Sequence, residues 1–191
     1  MSSIQSSKQS ANRFESTLGG ITVNGQAHSL SAWFVLALRL VFGYAFLSSG
    51  LDKVLASGWT AQGYLAGVAA TNGNPLEGMF AWMADTSWFV SFVDVAVPFG
   101  ELLIGLGLIV GLLVRLAAFW GAFIMTMFYF GNWSIEHGIV NSDFAYVIVF
   151  LAIAAFGAGR IIGLDRYVET YEFADGQTLL EKYPRLDYIL G

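Results

Sequence analysis

The sequence predicts an all-α membrane protein: a four-transmembrane-helix bundle with interfacial helices in the first outer loop and a short N-terminal β-hairpin. The first observation behind this prediction is the composition. Of the 191 residues, 56% are apolar and 12% are charged, and the mean hydropathy is +0.62, whereas a soluble domain carries about 25% charged residues. The second is that four stretches reach the roughly 20 mainly apolar residues that a bilayer-spanning helix needs. Together they disfavour a soluble enzyme, a disordered chain and a disulfide scaffold.

Several kinds of chemistry are disfavoured by composition. The chain contains no cysteine, so it has no disulfide, no thiolate metal site and no iron–sulfur cluster. Neither His28 nor His137 lies in an apolar stretch, so we also expect no haem held by two histidines. The net charge of −5 gives no indication of nucleic-acid binding. We therefore expect any electron transfer to involve a bound small molecule or a partner subunit.

Residues 1–30 are predicted to form a cytoplasmic N-terminal segment that contains a hairpin. The segment is no signal peptide, because its apolar run starts too late and continues too long. Asn24 and Gly25 lie between short apolar and polar alternations. Such a pair is typical of a type I′ turn between two strands.

Residues 31–164 are predicted to form the transmembrane domain, with spans at 31–51, 88–114, 116–133 and 144–164. Essentially only Arg115 separates the second span from the third, which predicts a tight antiparallel hairpin of helices. Glycines in the first two spans indicate close helix packing. These glycines are Gly43, Gly50, Gly100, Gly105, Gly107 and Gly111.

Two further segments complete the organisation. Residues 56–85 form the first outer loop, and we expect two short amphipathic helices there at the membrane interface, joined by a turn at the Asn-Gly-Asn-Pro sequence of residues 72–75. The tail, residues 165–191, mixes charges with tyrosine, leucine and isoleucine. We expect it to be ordered and docked on the cytoplasmic surface.

The distribution of basic residues predicts the orientation. With four spans, one side of the membrane holds seven basic residues and the other holds only Lys53. The positive-inside rule then places both termini in the cytoplasm and the protein in the cell membrane. The three lysines against 14 acidic residues also suggest a halophilic source. The seven basic residues are Lys8, Arg13, Arg115, Arg160, Arg166, Lys182 and Arg185.

Ionisable residues inside the spans are the strongest functional signal. Each costs about 2.5–3.5 kcal/mol near the bilayer centre, so such residues usually face protein or water and have partners. Arg39 lies in the first span, and Asp94 and Glu101 lie two helical turns apart in the second. From the helix rise we predict that Arg39 pairs with Glu101, directly or through water. Asp94 is expected within reach of Lys53 or of the outer loop.

Two interpretations of the predicted pair stay open. It is either a structural ion pair that fixes the register of two helices, or the lining of a cleft for a lipid-soluble ligand. A quinone fits the cleft, because arginine can donate a hydrogen bond to its carbonyl while a carboxyl group exchanges protons. Glu101 and Arg39 are then the candidate catalytic residues, and Arg39, Lys53 and Asp94 are candidates for binding the quinone between the first and second spans.

The loop between the third and fourth spans gathers polar side chains. We favour a capped, hydrogen-bonded loop over a metal site, because the ligand spacing of the usual metal sites is absent. No metal is therefore expected. The residues concerned are Asn132, Trp133, Glu136, His137, Asn141 and Asp143.

Three motifs resemble the DoxX-like family of four-helix membrane proteins, in a haloarchaeal form. They are an Arg39-xxx-Gly43 pattern followed by Gly-Leu-Asp-Lys at residues 50–53, an acid at Glu101 followed by glycines and Arg115, and a glycine–arginine–leucine–aspartate ending over residues 157–165. Ala158 departs from the proline of many members. The resemblance covers residues 31–165 and matches the polar positions Arg39, Lys53, Glu101 and Arg115, for which no family-wide catalytic assignment exists.

The resemblance implies two classes of function. Some relatives are similar to the membrane subunit of thiosulfate:quinone oxidoreductase, and others are membrane partners in oxidoreductase or thiol-defence complexes. We therefore expect a membrane subunit of a quinone-linked oxidoreductase, surrounded by lipids and assembled with a partner subunit or with copies of itself. The alternative is a non-enzymatic scaffold that docks a partner through the outer loop or the tail. A small transporter is disfavoured, because no inverted repeat is visible.

Overall fold

A β-hairpin near the N-terminus is followed by a bundle of helices. The computed structural model describes residues 13–69, 73–133, 140–173 and 176–191. Strand β1 (Arg13–Leu18) pairs antiparallel with β2 (Ile21–Gln26). The predicted hairpin is therefore confirmed, but its turn is not at Asn24 and Gly25, which lie inside β2. The turn is Gly19–Gly20, with φ of +58° and +82°, because glycine adopts both left-handed conformations without steric cost.

In the part of the chain that the structure describes, six helices of eight residues or more follow the hairpin. They are α1 (Ser31–Leu55), α2 (Gln62–Ala69), α3 (Glu77–Asp85), α4 (Ser87–Val110), α5 (Val114–Gly131) and α6 (Ser142–Ala155). The rest of the chain adds a 3-10 turn (Ala158–Arg160), α7 (Leu164–Glu169), α8 (Leu179–Lys182) and a second 3-10 turn (Pro184–Tyr188). Residues 13–35 belong to one compact unit and residues 36–191 to a second, and the bundle described below belongs to the second.

Within the described ranges, three helices, α1, α4 and α5, are long and apolar enough to cross a membrane. The predicted fourth span, residues 144–164, corresponds to a shorter helix. Helix α6 has 14 residues, about 21 Å, against a hydrocarbon core of about 30 Å. It ends early because Gly157 takes the left-handed conformation, with φ of +59°, after which the chain turns.

Helices α1 and α4 touch backbone to backbone. A Cβ atom at Gly105 would lie 2.3 Å from the backbone nitrogen of Leu47, and one at Gly50 would lie 2.6 Å from that of Leu102. At Gly43 the nearest atom is a side-chain carbon of Ile109, 2.9 Å away. The close packing predicted from these glycines is confirmed, and it leaves no space for a ligand between the two helices.

Helices α5 and α6 form the other half of the bundle. A Cβ atom at Gly121 of α5 would lie 2.4 Å from the ring of Phe150 on α6. The same ring meets Phe42 and Phe46 of α1 edge to face, with centroids 5.5 and 4.9 Å away. Phe150 therefore joins α6 to both of its neighbours.

The connection between α4 and α5 is the three-residue turn Gly111–Leu113, and not Arg115, which lies in the first turn of α5. Gly111 and Leu113 both have positive φ, +74° and +54°. The Gly111 N–H donates to the Gly107 carbonyl at 2.8 Å and ends α4. We call this end of the bundle the turn end.

Helices α2 and α3, hereafter the cap, cover the opposite end of α4. The predicted pair of short helices in residues 56–85 is confirmed. Their core contains Leu65, Val68, Phe80 and Ala84, packed with Val90 of α4. The buried Asn74 amide donates to the Phe130 carbonyl at 2.7 Å and fastens the cap to the end of α5.

Candidate functional site

An ion pair between Lys53 and Glu101 lies inside the bundle. Lys53 is in the last turn of α1, and the tight contact at Gly50 brings it beside Glu101 of α4. Its Nζ donates to Oε2 of Glu101 at 2.5 Å and to Oγ of Ser49 at 2.6 Å. Glu101 is only 3% exposed, whereas the Lys53 side chain is 21% exposed. The lysine of the pair is therefore accessible to solvent or lipid, whereas the carboxylate is buried.

A groove of about 1310 Å³ runs between α4 and α5 next to this pair. Along α4 its lining extends from Phe89 to Val110, about 30 Å by the helix rise. Gly100 opens it, because a Cβ atom there would meet nothing nearer than a methyl carbon of Ile124 at 3.9 Å. The groove is open on its side, where Leu103 is 69% exposed.

The groove is apolar and contains one charged side chain. Lys53 is the only charged residue among the described residues that line it. An ammonium group has three N–H donors, and the described contacts of Lys53 use two of them. The third N–H can donate to a ligand. One end of the groove is closed by the cap residues Tyr64, Phe80 and Met83 and by Trp59, which precedes α2.

Arg39 does not belong to this site. Its guanidinium donates to three backbone carbonyls that follow α6: Ala158 at 2.6 Å, Ile161 at 2.9 Å and Ile162 at 3.1 Å. Arg39 is 1% exposed, and its Nε has no hydrogen-bond partner among the described residues. Its contacts hold the turn between α6 and α7, so the geometry gives it a structural role.

The predicted Arg39–Glu101 pair is therefore wrong, and the register of α1 against α4 explains why. A Cβ atom at Gly111 would lie 2.9 Å from Nη1 of Arg39, so Arg39 is level with the turn end. Glu101 precedes Gly111 by ten residues, about 15 Å along α4. The prediction counted depth from the first residue of α1, although the bundle begins near Arg39. Because α1 and α4 are also in backbone contact, the predicted access of a quinone between them is wrong too.

Asp94 contacts the loop before α2, which was one of its two predicted partners. Its carboxylate accepts from the Thr60 hydroxyl at 3.0 Å and from the Ala61 N–H at 2.7 Å. Gln62 of α2 adds a bond from its side-chain amide to the Ala84 carbonyl at 3.1 Å. Asp94 thus positions the cap over the groove and does not itself line the groove.

Asp165 is a buried charge that the sequence reasoning missed. It is fully buried, and its carboxylate accepts the backbone N–H groups of Leu113 at 2.7 Å, Val114 at 3.0 Å and Gly191 at 3.0 Å. The prediction placed it at the start of a surface tail. Its place in the ending motif of residues 157–165 was the one sequence signal that pointed to it.

The loop before α6 is described only in part, and Glu136 and His137 lie outside the described residues. The Tyr64 hydroxyl donates to Oδ1 of Asn132 at 3.3 Å, and the Asn132 amide donates to Asp143 at 2.8 Å. Asn141 accepts the Phe144 N–H at 2.9 Å and caps α6. Within the described ranges, no group of three metal-ligating side chains comes together.

Comparison with known proteins identifies a family. The DoxX family model matches residues 34–133, slightly more than half of the chain, from α1 to the end of α5. The matched region contains both Lys53 and Glu101 and both helices that form the groove. No curated protein and no solved structure matches the chain.

Proposed function

The chain belongs to the DoxX family, and from that premise we propose that it is the membrane subunit of a quinone-linked oxidoreductase complex, with its quinone site in the groove between α4 and α5. The observation that carries the proposal is a long apolar groove with a single charged hydrogen-bond donor, Lys53. Ligand sites of this kind combine an apolar lining with few, well-placed polar groups. The proposal is similar to the role of the membrane subunit in thiosulfate:quinone oxidoreductase.

The geometry supports a specific division of roles within the site. The free N–H of Lys53 donates to a carbonyl oxygen of the quinone ring. Glu101 and Ser49 hold the ammonium in place through the bonds at 2.5 and 2.6 Å, and the pair keeps an exchangeable proton beside the ligand. Asp94 acts on the site only through the cap. Arg39, a candidate from the sequence, is a structural residue in this proposal.

The source of electrons in this proposal is a partner subunit. The chain has no cysteine, and neither His28 nor His137 lies in an apolar stretch of the sequence. These residue types hold most protein-bound iron–sulfur clusters and haems. A donor subunit that binds next to the groove would therefore reduce or oxidise the quinone.

We place the protein in the cell membrane with four spans and both termini in the cytoplasm. Three helices are long enough to span by themselves, and the proposal adds α6 together with the turn that follows it. The excess of basic residues on the side of the termini supports this orientation. The cap then lies on the outside. The halophilic, archaeal source stays a prediction from the low lysine content.

Extraction of the purified protein tests the proposal. We expect stoichiometric quinone in the lipid extract by mass spectrometry. Lys53→Met should reduce the bound quinone about 10- to 100-fold, because a hydrogen bond to a charged group contributes about 1.5–3 kcal/mol. Lys182→Met, which removes an exposed lysine of the tail, is the matched control and should retain quinone.

The opposite result supports the alternative function. Recovery of structural lipids alone, with the same lipids bound to Lys53→Met, would contradict the quinone site. The protein would then be better explained as a scaffold. Its folded tail provides a surface for such a role, with Tyr183 and Tyr188 both exposed.

A further inference from the structure

The carboxylate of Glu101 neutralises the one charged side chain that the described residues bring into the groove. Building on the proposed quinone site, we propose that Glu101 is a specificity-determining residue that restricts the groove to lipid-soluble ligands with a neutral headgroup and excludes anionic phospholipids. The substrate class of the site is then a neutral, carbonyl-bearing lipid. A groove open on one side is in contact with many phospholipids, so this selection decides whether the site is free for the rarer ligand.

The argument begins with the charge of the pair. Lys53 alone would attract any anionic headgroup that enters the groove. The carboxylate of Glu101 is bonded to the ammonium at 2.5 Å and is 3% exposed, so the positive charge is already balanced. A phosphate next to Lys53 would bring an uncompensated negative charge into an apolar site, which is costly. A quinone carbonyl needs only the remaining N–H donor.

No second basic residue offsets this cost. Among the described residues that line the groove, Lys53 is the only cation. The next buried cation, Arg39, is level with Gly111, about 15 Å along α4 from Glu101. Its guanidinium is occupied by the carbonyls of Ala158, Ile161 and Ile162. Among the described residues that line the groove, an anionic headgroup therefore meets no cation except a lysine that is already neutralised.

Removing the charge of Glu101 should reverse the selection. Glu101→Gln keeps the shape and a hydrogen-bond acceptor for Lys53, but it leaves the ammonium without a counter-ion. The variant should recruit an anionic phospholipid in place of the quinone. The double variant Lys53→Gln/Glu101→Gln removes both charges and should lose that preference again.

A competition experiment tests the inference. The protein is reconstituted in phosphatidylcholine nanodiscs with bound quinone, and phosphatidylglycerol is added, with phosphatidylcholine of the same acyl chains as the reference. In the wild type we expect phosphatidylglycerol to displace quinone no better than phosphatidylcholine does. In Glu101→Gln it should displace quinone at least about tenfold better. Glu77→Gln, which removes an exposed acid of the cap, should behave as the wild type.

Two outcomes would overturn the inference. The first is efficient displacement by phosphatidylglycerol in the wild type, a result that counts even if Glu101→Gln does not fold. The second is an equal response of the wild type and a folded Glu101→Gln. If the wild type binds no quinone, the proposed function fails, but the inference is still decided by counting bound phosphatidylglycerol in native mass spectra. More phosphatidylglycerol on Glu101→Gln than on the wild type supports it, and equal numbers contradict it.

Discussion

Two sites in this bundle bury charge, and they do so in different ways. At the turn end, Arg39 and Asp165 bind backbone groups: three carbonyls in one case and three N–H groups in the other. Beside the groove, Lys53 and Glu101 bind each other. The first site ties separate chain segments together, whereas the second leaves a donor available next to an open space. A charge inside a span is therefore not by itself a functional residue, and the kind of partner distinguishes the two roles.

The two sites differ in how far the backbone depends on their charged side chains. Asp165 replaces the missing hydrogen-bond partners of a helix start, where Leu113 and Val114 have N–H groups without carbonyl acceptors in the helix. Without the carboxylate of Asp165, several buried backbone N–H groups would lose their hydrogen-bond acceptor at once. Lys53 and Glu101 can separate while the backbone of α1 and α4 stays intact, because glycine contacts hold those helices together.

The largest expected effect tests the turn end. Asp165→Asn should lower the free energy of unfolding by about 3–5 kcal/mol, because it removes a buried charge that three N–H groups share. Unfolding by a denaturing detergent, followed by circular dichroism, measures the change. Asp187→Asn is the control, since its carboxylate is 56% exposed and pairs with Arg160 at the surface, and it should cost at most about 1 kcal/mol. Equal stability of the two variants would remove the distinction between the sites.

A smaller effect compares the two faces of α4. Gly105→Ala should lower the free energy of unfolding by about 1–3 kcal/mol, because its Cβ would overlap the backbone of α1. Gly100→Ala faces the groove, where the nearest atom is 3.9 Å away, and should leave stability unchanged or slightly improved. The same unfolding assay measures both. A destabilised Gly100→Ala would mean that the groove is filled by protein when the chain is assembled.

The smallest effect concerns the cap. Partial burial raises the pKa of Tyr64, which is 37% exposed, to about 12, and the negative charge of Asp143 adds to the rise. An unfolded tyrosine titrates near 10. Between about pH 10 and 12 the unfolded chain therefore loses a proton that the native chain keeps, and stability falls as the pH rises. Tyrosinate absorbance should show a late-titrating group that disappears in Tyr64→Phe and persists in Tyr188→Phe, whose ring is 81% exposed.

The sequence predicted the secondary-structure elements better than it predicted the contacts between them. The approximate lengths of the first three spans, the cap helices and the close packing at Gly43, Gly50 and Gly105 follow from local composition. The partner of Glu101 does not, because it depends on the axial offset between α1 and α4. Glu101 lies between the levels of Arg39 and Lys53 along the bundle. An error of a few residues in the offset therefore changes which of the two is nearer to Glu101, since each residue shifts the contact by about 1.5 Å.

The turns and the groove could not be predicted from the sequence, for other reasons. Leu113 takes a positive φ of 54°, which an apolar residue other than glycine gives no reason to expect, so the sequence suggested Arg115 as the turn instead. Gly100 and Gly105 have the same chemistry, yet one faces the groove and the other faces α1. Only the packing of a third helix tells them apart, and that information is not local.

The backbone contact between α1 and α4 also limits how this protein can move. Two helices that meet at Gly50 and Gly105 without intervening side chains behave as one rigid body. A bulky molecule can therefore reach the space beside Lys53 only from the open side of the groove, where Leu103 is exposed, and not between α1 and α4.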